Sequence, residues 1–160
     1  MPRSFTALFG VLALLAAMPS RSPAAMTPDE VRNVLFHLEK ANKGDAAAQF
    51  ALGRCYAQGE GAEKDSSRAF AWYRKAADQG HVEAQLMVGL GLLQGDGITQ
   101  DVIEAYAYLS LASPVHAQAR SSLDLLDKQL EPARLEAARK RTTKLRSEIA
   151  SRHASKAPAN

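Results

Sequence analysis

Apolar residues in this chain recur every three or four positions, in short blocks divided by glycine. Ala48, Leu52 and Tyr56 stand at i, i+4 and i+8, which is one face of a helix. The block stops at Gly59-Glu60-Gly61, and Asp65 stands just before the next apolar run. Glycine accepts positive φ past a helix end, and an aspartate carboxylate caps the free amides of a helix start. The pattern therefore predicts helices over about 45–57 and 66–77. The same punctuation returns as Gly95-Asp96-Gly97 and Asp101, predicting helices over about 81–93 and 102–113. Alanine is abundant and aromatic residues are few, which suits closely packed helices better than strands, so the expected fold class is all-α.

The recurrence is an internal repeat. Residues 43–78 align without a gap on residues 79–114, and matched pairs include Ala48/Ala84, Gln49/Gln85, Gly53/Gly89, Gln58/Gln94, Ala69/Ala105 and Ala76/Ala112. Gly53 and Gly89 fall inside helices, where glycine costs ~1 kcal/mol relative to alanine. A cost repeated at the same place predicts close approach of a partner helix. The positions expected to be structural are thus Gly53, Gly59, Gly61 and Asp65, with their mates Gly89, Gly95, Gly97 and Asp101.

The flanks read as ends of a stack. Thr27-Pro28-Asp29-Glu30 has the residues of a capping box with proline at the first helical position, so residues 25–42 form a half-repeat helix with Leu35, Phe36 and Ala41 as its apolar contacts. Residues 115–152 are expected to hold capping helices, the last opening at Glu131-Pro132 with a thin stripe of Leu135, Ala138, Thr142, Leu145 and Ile149. Residues 153–160 are polar, contain Pro158, and read as a disordered tail.

Residues 1–24 carry a different signal. Arg3 supplies positive charge, residues 5–18 are nearly all apolar, and Ser22-Pro23-Ala24 offers small residues to a signal peptidase. A run of this length falls short of the ~20 residues a spanning helix needs. Export with a mature start near Ala25, to the periplasm or beyond, is the expectation. The remaining charge is split: residues 25–130 hold 10 basic and 14 acidic side chains, and residues 131–160 hold 8 basic and 3 acidic. The basic balance belongs to the C-terminal segment, where Arg139-Lys140-Arg141, Lys144 and Arg146 cluster; a solvated face is expected there, with weak contact to membrane or an acidic partner as the alternative. Nucleic acid is not an expected partner, since no aromatic residues are interleaved with that charge.

Chemistry is sparse. Cys55 is the single cysteine, and His37, His81, His116 and His153 show no metal-ligand spacing. No nucleophile elbow or phosphate loop occurs, because the glycine pairs follow helices. No cofactor, no metal and no catalytic residue is expected, and the chain does not read as an enzyme.

Several motifs resemble the Sel1-like repeat, a relative of the tetratricopeptide repeat. They are Leu52-Gly53-x-x-Tyr56, Gly59-x-Gly61-x-x-Lys64-Asp65, and Ala69-x-x-Trp72-Tyr73-x-x-Ala76-Ala77-x-x-Gly80. The second repeat departs at Leu92, Gln100 and Tyr108-Leu109. Repeat proteins described as acting on β-lactams carry a cysteine pair in each repeat, whereas the mate of Cys55 here is Gly91. The resemblance implies a right-handed α-solenoid with a C-terminal capping helix, and protein–protein contact as its business. The expected function is an exported scaffold, monomeric, binding another protein along its concave face in envelope signalling or assembly. A structural envelope component with a membrane- or polymer-binding basic helix is the alternative. The candidate groove comprises Phe50, Arg54, Gln58, Glu83, Leu86, Leu90 and Leu93, read either as an exposed apolar strip with charged edges or as apolar positions covered by neighbouring repeats or the C-terminal cap.

Overall fold

The computed structural model describes residues 26–95 and 97–156; the expected signal segment lies outside them. Among the described residues there are seven α-helices and no strand: α1 (Pro28–Asn42), α2 (Ala46–Gln58), α3 (Ser66–Ala77), α4 (Val82–Gln94), α5 (Val102–Ala112), α6 (Ala117–Gln129) and α7 (Pro132–Lys156). It is an all-α solenoid. Each helix packs on the next as far as α5, which then carries both α6 and α7.

Local chemistry sets the helix ends. Thr27 and Glu30 form the reciprocal capping box at α1. Asp45, Asp65 and Asp101 each accept a backbone amide at the start of α2, α3 and α5. His81 takes this role at α4, its Nδ1 accepting from the Ala84 amide at 3.4 Å. Gly59 and Gly95 close α2 and α4 at φ 75° and 73°, a region closed to most side chains.

Gly53 and Gly89 have the expected use. A Cβ on Gly53 would stand 2.6 Å from the Tyr73 ring and 3.2 Å from the Ala69 carbonyl oxygen; one on Gly89 would stand 2.6 Å from Leu109 and 3.3 Å from the Ala105 oxygen. Both helix pairs touch backbone to side chain, with Ala69 and Ala105 buried at the seam. Between repeats the joint is polar. Gln49 donates to the Ala41 carbonyl at 3.1 Å and Gln85 to the Ala77 carbonyl at 3.4 Å, each eight residues back. These buried amides satisfy carbonyls that the ends of α1 and α3 leave without an intrahelical donor.

Two expectations change. Leu35 and Phe36 are 59% and 52% exposed; Val34 and Ala41 are the buried contacts of α1, beside partly buried Leu38. The expected tail is also helical further than its polarity suggests, since α7 runs on through Lys156. Its end is held: Arg152 donates to the Asp78 carbonyl at 2.9 Å, and His153 lies against Gly80. Residues 157–160 lie outside the described residues.

Candidate protein-binding surface

The candidate groove residues separate into two groups. Arg54, Gln58 and Glu83 are exposed on α2 and α4. The apolar members are not. Leu86 is 6% exposed, sharing a core with Tyr106 and Leu109 of α5 and Ala119 and Leu126 of α6. Leu90 and Leu93 are partly buried against the same core. Phe50 is half-buried at the repeat junction, stacked on His81 at 4.7 Å between centroids and tilted on Tyr73 at 5.5 Å. The expected apolar strip is therefore internal packing. The reason is that a first helix in the stack has helices on more than one side, so its apolar arc is wider than a single stripe.

What the first helices do offer is polar. Gln58 and its mate Gln94 are both exposed, as are Arg54 on α2 and Glu83 on α4, whose own mates are the partly buried Leu90 and the apolar Ala47. Such groups recognise a partner by charge and hydrogen bonding.

The second helices carry a feature the sequence reading did not single out. Phe36, Trp72 and Tyr108 occupy the same place in α1, α3 and α5. Lysine covers the first two: Lys40 Nζ is 4.4 Å from the Phe36 centroid and Lys75 Nζ is 3.8 Å from the Trp72 centroid. Tyr108 is fully buried and donates its hydroxyl to Asp78. Burial, followed by that hydrogen bond, pushes the Tyr108 phenol well above its usual range. The 36-residue spacing of three aromatics would have revealed the series.

The cover over Tyr108 is α7. Ala138, Thr142, Leu145 and Ile149 are buried along it. Arg141 donates through Nε and Nη2 to both oxygens of Glu104, which is 8% exposed, and through Nη1 to Glu148 at 3.3 Å. Arg74 of α3 reaches the same Glu104 at 3.3 Å. The bonds to Glu104 hold the Arg141 guanidinium protonated more firmly than a free one. Arg141, and Arg152 beside Asp78, are thus tied into the fold, leaving Arg139, Lys140, Lys144 and Arg146 exposed as the basic face.

The chemistry is otherwise quiet. Burial pushes the Cys55 thiol up, which suits a small apolar core residue. Among the described residues no group of three or more His, Cys, Asp or Glu could hold a metal. No described helix is long and apolar enough to cross a membrane.

The Sel1 repeat family model matches residues 46–81 and 82–113, which are α2–α3 and α4–α5 with their turns. The chain carries two Sel1 repeats. The repeats are similar in solved structures too. One is c5321, described as a protective antigen present in uropathogenic Escherichia coli strains displaying an SLR fold, with TM-score 0.68 and 29% identity over 81% of this chain. A Sel1 repeat protein from Oxalobacter formigenes gives 0.59 and 34% over 62% of this chain. The chain spans 29% and 41% of the length of those two proteins. No curated protein matches it significantly. Sel1-repeat proteins generally act as protein-interaction scaffolds, and their solenoid is typically non-enzymatic.

Proposed function

We propose that this Sel1-repeat chain is an exported scaffold that binds one other protein through the exposed polar positions of its first helices, in envelope signalling or assembly. The observation that carries the binding surface is the exposure of Arg54 and Gln58 on α2 and of Glu83 and Gln94 on α4. Stacked repeats present such positions as one extended surface, the concave one in this architecture.

Export rests on the N-terminal pattern and on α1. Positions 69, 73 and 76 in α3, and 105, 109 and 112 in α5, are buried apolar residues facing the helix before them in the same repeat. Their mates in α1 are Asn33, His37 and Lys40, two exposed and one half-buried. The stack thus presents a polar end where a preceding repeat helix would dock. The apolar run of residues 5–18, with Arg3 before it and small residues after it, has the order of a signal segment. A solved relative described as a protective antigen supports the same reading.

The test places a photo-cross-linking residue at position 54 or 83 in the native cell, with position 71 of α3 as control. One defined protein adduct from both first-helix positions, absent from the control and found in the periplasmic or secreted fraction, is the expected result. Recovery of a cytosolic chain beginning at Met1 would remove export; adducts from the control position alone would remove the surface.

A further inference from the structure

The exposed apolar residues of α1 are concentrated on a helix whose counterpart in the second repeat is covered. Arg32, Leu35 and Phe36 are the repeat mates of Glu104, Ala107 and Tyr108. In α5 those three are 8%, 0% and 0% exposed, because α7 lies over them. In α1 all three are exposed. The fold therefore shows what such a face takes: another helix, with a charge opposite to that at the Glu104 position. On α5 that charge is Arg141 against Glu104. On α1 the position is Arg32, exposed and paired with Asp29, so a covering helix that offers a further carboxylate suits it.

We infer that the covering helix is α1 of a second copy, packed antiparallel about a two-fold axis between Leu35 and Phe36. The charge order along α1 is self-complementary in that arrangement. Leu35 of each copy meets Phe36 of the other, Arg32 meets Glu39 of the second copy, and Asp29 lies opposite its Asn42, one residue from Lys43. Parallel packing would set like charges together. The four charged side chains are already ordered within α1, as Arg32 donates to Asp29 at 2.8 Å and Lys43 to Glu39 at 2.6 Å. The helix dipoles also oppose. A two-fold contact uses the same patch on both copies and closes without forming a filament. A single face of a 15-residue helix falls below the ~1,200 Å² of a standard interface, so the dimer is weak and concentration-dependent. The polar first-helix surface remains open in it.

Sedimentation velocity of the purified mature protein, from about 1 µM to about 1 mM, tests this. The expected result is a rise from monomer toward dimer within that range. Phe36→Glu should abolish the rise, with an unchanged melting transition because Phe36 is exposed. Arg32→Glu should weaken association by about tenfold or more, and Arg32→Glu with Glu39→Arg should restore it. A monomer at every concentration would assign the face to the chain's own N-terminal segment or to a different protein, and overturns the proposal. A dimer that survives Phe36→Glu, or a charge swap that fails to restore association, overturns it as well.

Discussion

Helices α3 and α5 fill the same place in two copies of one repeat, yet one is half open and the other is closed nearly all round. In α3, Ala69, Tyr73, Ala76 and Ala77 are buried while Arg68, Ala71, Arg74 and Lys75 are exposed. In α5, every residue from Glu104 to Leu109 is buried. The substitutions between them follow from α7. Arg68 becomes Glu104 to receive Arg141 and Lys75 becomes Leu111, packed against the core, while alanine is kept at the exposed Ala71 and the fully covered Ala107. Departures from the repeat pattern thus mark where the stack meets something other than another repeat.

Changes at the α5–α7 contact should have the largest effect. Arg141→Met leaves the Glu104 carboxylate buried beside only Arg74, and should cost about 2–3 kcal/mol in denaturant unfolding. Glu104→Gln in the same chain should recover part of that loss. The open counterpart, Arg68→Ala, should cost under about 0.5 kcal/mol, since its pair with Asp65 is surface-exposed. Equal costs at the two sites would break the comparison.

Glycine replacement sharpens it at an intermediate scale. Gly89→Leu should destabilise by about 3 kcal/mol and Gly53→Leu by about 2 kcal/mol. The difference lies in what must yield: Leu109 is enclosed at 0% exposure, whereas the Tyr73 ring, at 8%, is nearer the surface. The thermal midpoints of the two variants measure the order directly.

The inter-repeat amides should show the smallest contrast. Gln49→Leu and Gln85→Leu each remove one of two donors to a helix-end carbonyl, which keeps its bond from the Gly44 or Gly80 amide, at about 0.5–1.5 kcal/mol. The Gln49 variant should be the more costly, because Gln49 also accepts from Gln79 at 2.6 Å. Chemical denaturation of both variants at one temperature checks the ranking.

Most of the fold was legible because it is written in short-range chemistry. Caps at Asp45, Asp65 and Asp101 and stops at Gly59 and Gly95 act within a few residues, and a gapless repeat doubles each signal. Gln49 and Gln85 were visible as a match, but their acceptors lie across a helix turn that periodicity does not resolve. The surface was less legible. Leu86 and Leu90 face away from the Ala84–Val88 seam, and only α5 and α6 decide that they are covered. Glu104 and Arg141 stand 37 residues apart, so charge composition alone placed Arg141 on a solvated face. The polarity of residues 153–156 likewise hid a helix end held by Asp78 and Gly80.

Native-state hydrogen exchange is the most direct test that α7 is an integral member of the stack and the cause of the difference between α3 and α5. Amides of α7 between Ala138 and Ile149 should open with about the same free energy as those of α5, and Arg141→Met should lower both together while α2 and α3 keep more of their protection. Exchange of the α7 amides near the rate of a free helix, with α5 still fully protected, would contradict the account.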